Sequence, residues 1–326
     1  MFLKPSKVEK DAEKRKSKGR AFRFWRSLYA DDAALVFSNR RALIAGTKLV
    51  DKQFKDFGLQ MHVGDLEKGE KSKTEAMFIP ARNSTTPVEQ ATENFEVEAG
   101  VSFVSFCAKF KYLGVLLTPD LNDEHDIQRR LCLGSASFRE LEKKILTNRQ
   151  IDLKLRARIY LQITVNVALW GCSSWIISSD SMDDLVKWHR RNCRKILGVR
   201  LEDKNYTKDI LSALGVPELD SIIHLRTLKL VRKVSVGGPN LEYLRKCVSG
   251  QAHGPQARGN FCSTTKSWMN SLEKGGIIDG APKKEREAGK ITLDELGRRF
   301  NQPETGPTVE ENLGLREGAF KSKNRR

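Results

Sequence analysis

Tyr29-Ala30-Asp31-Asp32 places two adjacent carboxylates between two strand-like runs, Phe22-Arg23-Phe24-Trp25-Arg26-Ser27-Leu28 and Ala33-Ala34-Leu35-Val36-Phe37. Aromatic and branched residues on both sides of a short polar break predict a β-hairpin with the aspartates at its tip. Adjacent carboxylates in a rigid turn repel each other unless a positive group lies between them. A hard divalent cation with oxygen ligands, Mg²⁺ or Mn²⁺, meets that need. Paired ions of this kind stabilise the attacking and leaving oxygens of phosphoryl transfer. The bland alternative is a turn and nothing more, because Asp hydrogen-bonds local backbone and favours turns.

The elements that must position these residues are legible in outline. Residues 21–119 read as α+β. After the hairpin, Ser38 or Asn39 can cap a helix with Leu43, Val50, Phe54 and Phe57 on one face and Gly58 at its end. A short strand is expected at residues 75–79, a polar surface excursion over 81–100, and a second hairpin from residues 101–107 and 110–117. Residues 120–236 read as almost wholly helical. Ile127, Leu131, Phe138, Leu141 and Ile145 share one face, and Leu155, Ile159, Ile163 and Val167 share another, behind Asp152 as a cap. Met182, Val186, Cys193 and Ile196 make a third, stopped by Gly198; a short helix ends at Gly215, and a last one runs from about Leu219 to Val236. His189 lies on the apolar side of the third helix and is expected to be packed rather than chemical. Trp170, Trp175 and Trp188 are read as core anchors. Arg190, Arg191, Arg194 and Lys195 face largely the other way, either as a solvated face or as contacts to backbone phosphates.

Taken in order, the motifs resemble those of reverse transcriptases of the non-LTR (LINE-type) retrotransposons. Tyr29-Ala30-Asp31-Asp32 resembles the aspartate box, motif C. Lys73-Thr74-Glu75-Ala76-Met77-Phe78-Ile79-Pro80 resembles motif D, and Phe110-Lys111-Tyr112-Leu113-Gly114-Val115 resembles motif E, the primer grip. Leu169-Trp170-Gly171-Cys172-Ser173-Ser174-Trp175 and His189-Arg190-Arg191-Asn192-Cys193-Arg194-Lys195-Ile196-Leu197-Gly198 resemble the helical region that follows the polymerase domain in these elements. The resemblance covers roughly residues 22–238. It implies the second half of a polymerase palm at 21–119 and a helical thumb with an extension at 120–236. Asp31 would ligate the metal with Asp32 in support, and Lys73, or Lys71 in its stead, would assist the departing pyrophosphate. Tyr29, Phe110, Lys111, Tyr112, Leu113 and Gly114 would contact or shape the primer–template, with Arg190, Arg191 and Arg194 on its phosphates. The ordinary reading of Phe110 and Tyr112 is a cross-strand pair, and that of Lys73 a surface lysine. The implied partners are an RNA template, a DNA primer and deoxynucleotides.

The resemblance also implies what is missing. Motif A, with another metal-binding aspartate, and motif B precede motif C in these enzymes, and neither is found in the 28 residues before Tyr29. The expectation is therefore the back half of a reverse transcriptase, inactive as an isolated chain and holding Mg²⁺ only weakly. The alternative is a non-catalytic, basic nucleic-acid-binding remnant.

Composition agrees with a polyanionic partner. The 326 residues carry a net charge of +17, and the mean hydropathy is −0.49. No apolar stretch reaches bilayer length and no secretory leader is apparent, so an intracellular protein, nuclear or cytoplasmic, with reduced thiols is expected. The six cysteines include no Cys-x-x-Cys pair, and the spacing of Cys247, His253 and Cys262 does not match a zinc knuckle. Residues 1–20 and 237–326 read as basic tails, mostly disordered, apart from a short helix at 292–300 marked by the capping-box spacing of Thr292 and Glu295.

Overall fold

The computed structural model describes residues 2–3, 22–23, 26–80, 88–200, 207–237, 241, 263–279, 293–313 and 315. It is a mixed α+β chain with small sheets, mostly antiparallel, followed by helices, and its described residues fall into two compact units, one within Arg23–His125 and one within Asp126–Arg326 that also takes in Phe2, Leu3 and Phe22. Strands β1 (Phe2–Leu3) and β2 (Phe22–Arg23) form a two-stranded ribbon. The basic run Lys14–Arg20 lies outside the described residues, as do Cys247, His253 and Cys262. No helix among the described residues is long and apolar enough to cross a membrane.

The first unit opens with the hairpin expected around the aspartates. Strands β3 (Arg26–Tyr29) and β4 (Asp32–Leu35) are antiparallel, with Tyr29 opposite Asp32, so Ala30 and Asp31 form a two-residue turn. Helix α1 (Arg40–Asp56) begins at Asn39, whose side-chain oxygen accepts from the Ala42 N–H at 2.8 Å. Phe37 meets this helix at Gly46: a Cβ there would lie 2.3 Å from the Phe37 ring.

The buried face of α1 differs from the apolar row read in the sequence. Thr47 and Asp51 are buried with Leu43 and Ile44 beside the core, whereas Phe57 is 83% exposed and Phe54 36%. Polar anchors set this rotation. The Arg40 guanidinium donates to the carbonyls of Ala91 and Glu93 at 3.2 and 2.6 Å, and Lys55 pairs with Asp51 at 2.9 Å and Glu98 at 3.5 Å. Residues 40, 44, 47, 51 and 55 follow the helical spacing, so fixing both ends of that row turns Phe57 outward.

Strands β5 (Gly64–Asp65), β6 (Glu75–Ala76), β7 (Phe95–Glu98) and β8 (Ser102–Phe106) make one sheet, with the short helix α2 (Val88–Ala91) leading into β7. β8 pairs antiparallel with β5 and β7 and parallel with β6. The surface excursion expected over 81–100 is thus corrected. Phe95-Glu96-Val97-Glu98 alternates with period two, and Phe95 and Val97 are buried against Val104 and Ala76. The second hairpin is also corrected in its pairing: β9 (Phe110–Tyr112) and β10 (Val115–Leu117) close on each other, and residues 101–107 pair elsewhere. The strand expected at 75–79 shortens to β6.

The second unit is helical. Helix α3 (Glu124–Leu141) runs into a π turn, Glu142–Leu146. Helix α4 (Leu153–Ile159), capped by Asp152 through the Leu155 N–H at 3.1 Å, runs into another, Tyr160–Val165, and then α5 (Asn166–Ala168). Helix α6 (Ser179–Leu197) is stopped by Gly198 at φ 74°, the conformation that glycine adopts most readily. Helices α7 (Thr207–Leu214) and α8 (Leu219–Val236) follow, as expected. One core gathers Ile127, Phe138, Tyr160, Leu185, Trp188, Ile196 and their neighbours. Leu155 and Ile163, expected inside, are each 45% exposed, while Ala157, Tyr160, Thr164 and Ala168 are buried. The buried row lies one or two residues further along because Tyr160 is the group that reaches into the core, toward His189.

Within 237–326, read as mostly disordered, the described residues include helices α9 (Ser263–Lys274), α10 (Leu293–Phe300) and α11 (Thr305–Asn312). Trp268, Leu272, Ile278, Leu296, Phe300 and Val309 pack on Leu228, Val231 and Val234 of α8 in a separate core. The low density of apolar residues hid this, because a few widely spaced ones all converge on one helix. The short helix read at 292–300 is α10; its capping Thr292 lies outside the described residues.

Candidate active site

The site is built by two tight hairpins of the first unit. Two-residue hairpin loops require left-handed backbone, which matches the twist of the flanking strands. In β3–β4 the turn holds Ala30 at φ 51°, and in β9–β10 it holds Leu113 at φ 48° and Gly114 at φ 82°. Ala30 and Leu113 are two of the three non-glycine residues with positive φ among those described, the third being Leu121. Both candidate motifs therefore carry backbone strain at their tips, a feature concentrated at functional positions.

Asp31 sits in the first turn and Asp32 begins β4. Both side chains are exposed, and Tyr29 beside them is 65% exposed. Among the described residues no lysine or arginine pairs with either aspartate, so their oxygens are unengaged. The second hairpin reaches the first through Tyr112, whose hydroxyl donates to Ser27 Oγ at 3.2 Å and lies 3.5 Å from the Ser27 carbonyl. Phe110 and Tyr112 share a face of β9, with ring centroids 6.3 Å apart and planes 13° from parallel, and Lys111 is exposed on the other. Residues 85 positions apart are thus joined by one hydrogen bond. Ser27 was not singled out in the sequence; its signal is its place two residues before Tyr29, on the same side of the strand.

Lys73 is exposed at the bend that enters β6. Its neighbours fix that bend: the Ser72 hydroxyl donates to the Thr74 carbonyl, and the Thr74 N–H donates to the His62 carbonyl at 2.9 Å. β6 belongs to a different sheet from the aspartates, and no hydrogen bond or ion pair links Lys73 to them among the described residues.

The donor set at the turn suits a hard cation: two carboxylates with no ion-pair partner among the described residues, with water to complete the shell. Among the described residues no group of three or more His, Cys, Asp or Glu side chains gathers as a metal site.

In the second unit, Arg190 forms an ion pair with Glu218 at 3.2 Å, which engages its guanidinium. Arg191 is exposed and Arg194 half-buried. His189 is the packed residue expected: fully buried, with Nδ1 2.9 Å from the Tyr160 hydroxyl and Nε2 3.1 Å from the Pro217 carbonyl. A carbonyl only accepts, so Nε2 carries the proton and Nδ1 accepts from Tyr160. Burial pushes the imidazole pKa down to about 4. Burial likewise lifts the Cys172 thiol to about 11 and the Cys193 thiol to about 12, and burial with Glu75 beside it lifts Cys107 to about 11. None of the three is a thiolate at neutral pH. Trp175 and Trp188 are core anchors at 2% and 7% exposure, but Trp170 is corrected: it is 56% exposed.

No protein-family model, no curated protein and no solved structure matches this chain.

Proposed function

We propose that the chain is the C-terminal part of a LINE-type reverse transcriptase, comprising half of the polymerase palm and a helical thumb with its extension. The observation that carries the reading is the hydrogen bond from Tyr112 to Ser27. It joins the hairpin resembling the primer grip to the hairpin resembling the aspartate box, two motifs recognised separately in the sequence. In this reading Asp31, supported by Asp32, holds Mg²⁺ or Mn²⁺ with most of the shell made of water. The ion's chemistry is to neutralise charge on the oxygens exchanged at phosphorus. Tyr29 and the β9–β10 tip, Leu113-Gly114, press on the primer–template, whose strands are RNA template and DNA primer. Lys73 would assist the leaving pyrophosphate.

Two-metal phosphoryl transfer needs carboxylates converging from more than one element, and groups that act as a unit fail as a unit. These 326 residues alone are therefore expected not to extend a primer. Primer extension on an RNA template, with Mg²⁺ and all four deoxynucleotides and Asp31→Ala as control, checks this. No extension above the control is expected, and extension would mean that a further metal ligand lies within the chain. The second reading, a non-catalytic nucleic-acid-binding protein, is favoured by the net charge of +17 and predicts the same silence in that assay with salt-sensitive binding.

A further inference from the structure

The helical unit carries a charged surface that the aspartate hairpin does not explain, where two helices end side by side. The π turn Glu142–Leu146 closes α3, and Gly198 stops α6 by donating its N–H to the carbonyls of Arg194 and Lys195. Contacts join these two ends. Lys195 Nζ pairs with Glu142 at 3.0 Å, and the Asn148 side chain donates to the Lys144 carbonyl at 3.4 Å. Arg149, next in the chain, lays its guanidinium on Gly198: a Cβ there would lie 3.2 Å from Nη2. Beneath the surface the buried Arg156 donates to the carbonyls of Leu146 and Ile196, one from each end, at 3.3 and 2.9 Å. Helix carbonyl ends favour a cation, and Arg156 already supplies one to both.

Above Arg156 lie more cations than the two ends account for. Lys143, Lys144, Arg149 and Arg191 are exposed, Arg194 is half-buried, and no acidic side chain pairs with any of them among the described residues. Of the carboxylates in these segments, Glu142 is taken by Lys195, Asp152 caps α4, and Glu140 makes no ion pair among the described residues. The buried charge of Arg156 repels the outer cations, so the cluster keeps a positive potential that an outside anion relieves. The cations are spread over a turn and a helix end rather than gathered in a pocket, which suits an extended polyanion better than one small anion. Residues 142–149 and 190–200 contain no aromatic side chain on which an unpaired base could stack. Backbone phosphates are then the whole attraction, and a duplex carries them more densely than a single strand does. We infer that Lys143, Lys144 and Arg149 of the turn, with Arg191 and Arg194 of α6, bind the phosphate backbone of duplex nucleic acid without regard to sequence. Arg149, resting on Gly198, supplies a fixed contact and the two lysines mobile ones. Arg190, held by Glu218, takes no part. The surface goes beyond the polymerase reading and needs neither metal nor aspartates.

The test is fluorescence anisotropy of a labelled duplex of about 20 base pairs with the full chain, in chelator, over a salt series. Lys143→Gln with Lys144→Gln lowers the salt slope by about one to two and weakens binding about tenfold at 0.1 M salt, as expected for two lost phosphate contacts. Lys48→Gln with Lys52→Gln, an equal loss of charge from two exposed lysines of α1, changes neither. That contrast separates a located surface from net charge. Arg149→Ala lowers the slope by about one, and Arg149→Lys restores it with the thermal midpoint unchanged. The proposal is overturned by absence of binding at low salt, by equal effects of the two lysine pairs, or by tighter binding of the matching single strand. Capture of the chain by phosphatidylserine vesicles in preference to the duplex would also overturn it, because the partner would then be a membrane. Because metal is excluded, failure of the Asp31 site leaves this outcome unaffected.

Discussion

Leu113 and Ala30 are the residues at which the candidate site is most constrained. A branched side chain in left-handed backbone costs about 1–2 kcal/mol, whereas Asn and Gly tolerate it. Leu113→Asn creates the Asn-Gly pair that such turns prefer and should raise stability by about 0.5–1 kcal/mol, while Gly114→Ala should lower it by about 1 kcal/mol. Denaturant midpoints measure both, and a stabilising Gly114→Ala would contradict the turn geometry. His189 gives a pH signature. Its folded pKa is about 4 against an ordinary 6.5, and burial also pushes His224 down to about 4. Between those values the unfolded chain binds protons that the folded chain refuses, so stability is full above about pH 6.5 and falls as pH drops toward 4. For His189 alone the loss is on the order of 3 kcal/mol. Thermal unfolding at pH 7.5 and 5 should show a clear fall in midpoint, and equal midpoints would mean that His189 is protonated in the fold. The apolar side of α6 marked His189 as buried in the sequence. The exposure of Trp170 was not legible, because an aromatic residue among apolar neighbours reads as core whichever way its turn faces.

At the scale of elements, the sequence showed boundaries better than faces. Caps at Asn39, Asp152 and Gly198 are local chemistry and fall where local patterns put them. The rotation of α1 is set by Arg40 and Lys55 reaching partners more than 40 residues away, which no local window contains. β7 was legible in principle from the Phe-Glu-Val-Glu alternation, but its polar surroundings masked it. Close packing in the helical unit depends on Gly134. A Cβ there would meet Ala168 Cβ at 2.8 Å and the Trp188 ring at 2.9 Å, next to the bond from the Trp188 N–H to Ser135 Oγ at 2.9 Å. Gly134→Val should therefore destabilise the chain by about 1–3 kcal/mol through overpacking, despite its lower backbone entropy cost. Calorimetry checks this, and an unchanged midpoint would show that α3 can shift away.

Over the whole molecule, apolar burial is uneven. The first unit's core is Ala76, Phe95, Val97 and Val104 with a few partly buried neighbours, while Leu28, Tyr29, Phe57 and Leu59 are exposed at 57–83%. The helical unit buries far more. Local stability follows buried apolar contact, so amides of β3–β4 should exchange with solvent faster than those of α6 by orders of magnitude. Equal protection in hydrogen exchange would contradict that distribution. The α+β class and the aspartate hairpin were legible in the sequence, whereas residues 110–117 were read as extended but paired with the wrong strand. Of the three C-terminal helices only α10 was legible, from the spacing of Thr292 and Glu295; α9 and α11 were not, since their core depends on distant apolar residues meeting α8.

Asp31 and Asp32 are proposed to form a weak hard-cation site at the tip of the first hairpin. Mn²⁺ titration followed by amide NMR tests it most directly, because the ion broadens signals around the place where it resides. Selective broadening at Tyr29–Ala33 at low Mn²⁺, competed by Mg²⁺ and lost in Asp31→Asn, is the predicted result. Broadening that begins elsewhere, or that persists unchanged in Asp31→Asn, would contradict the claim.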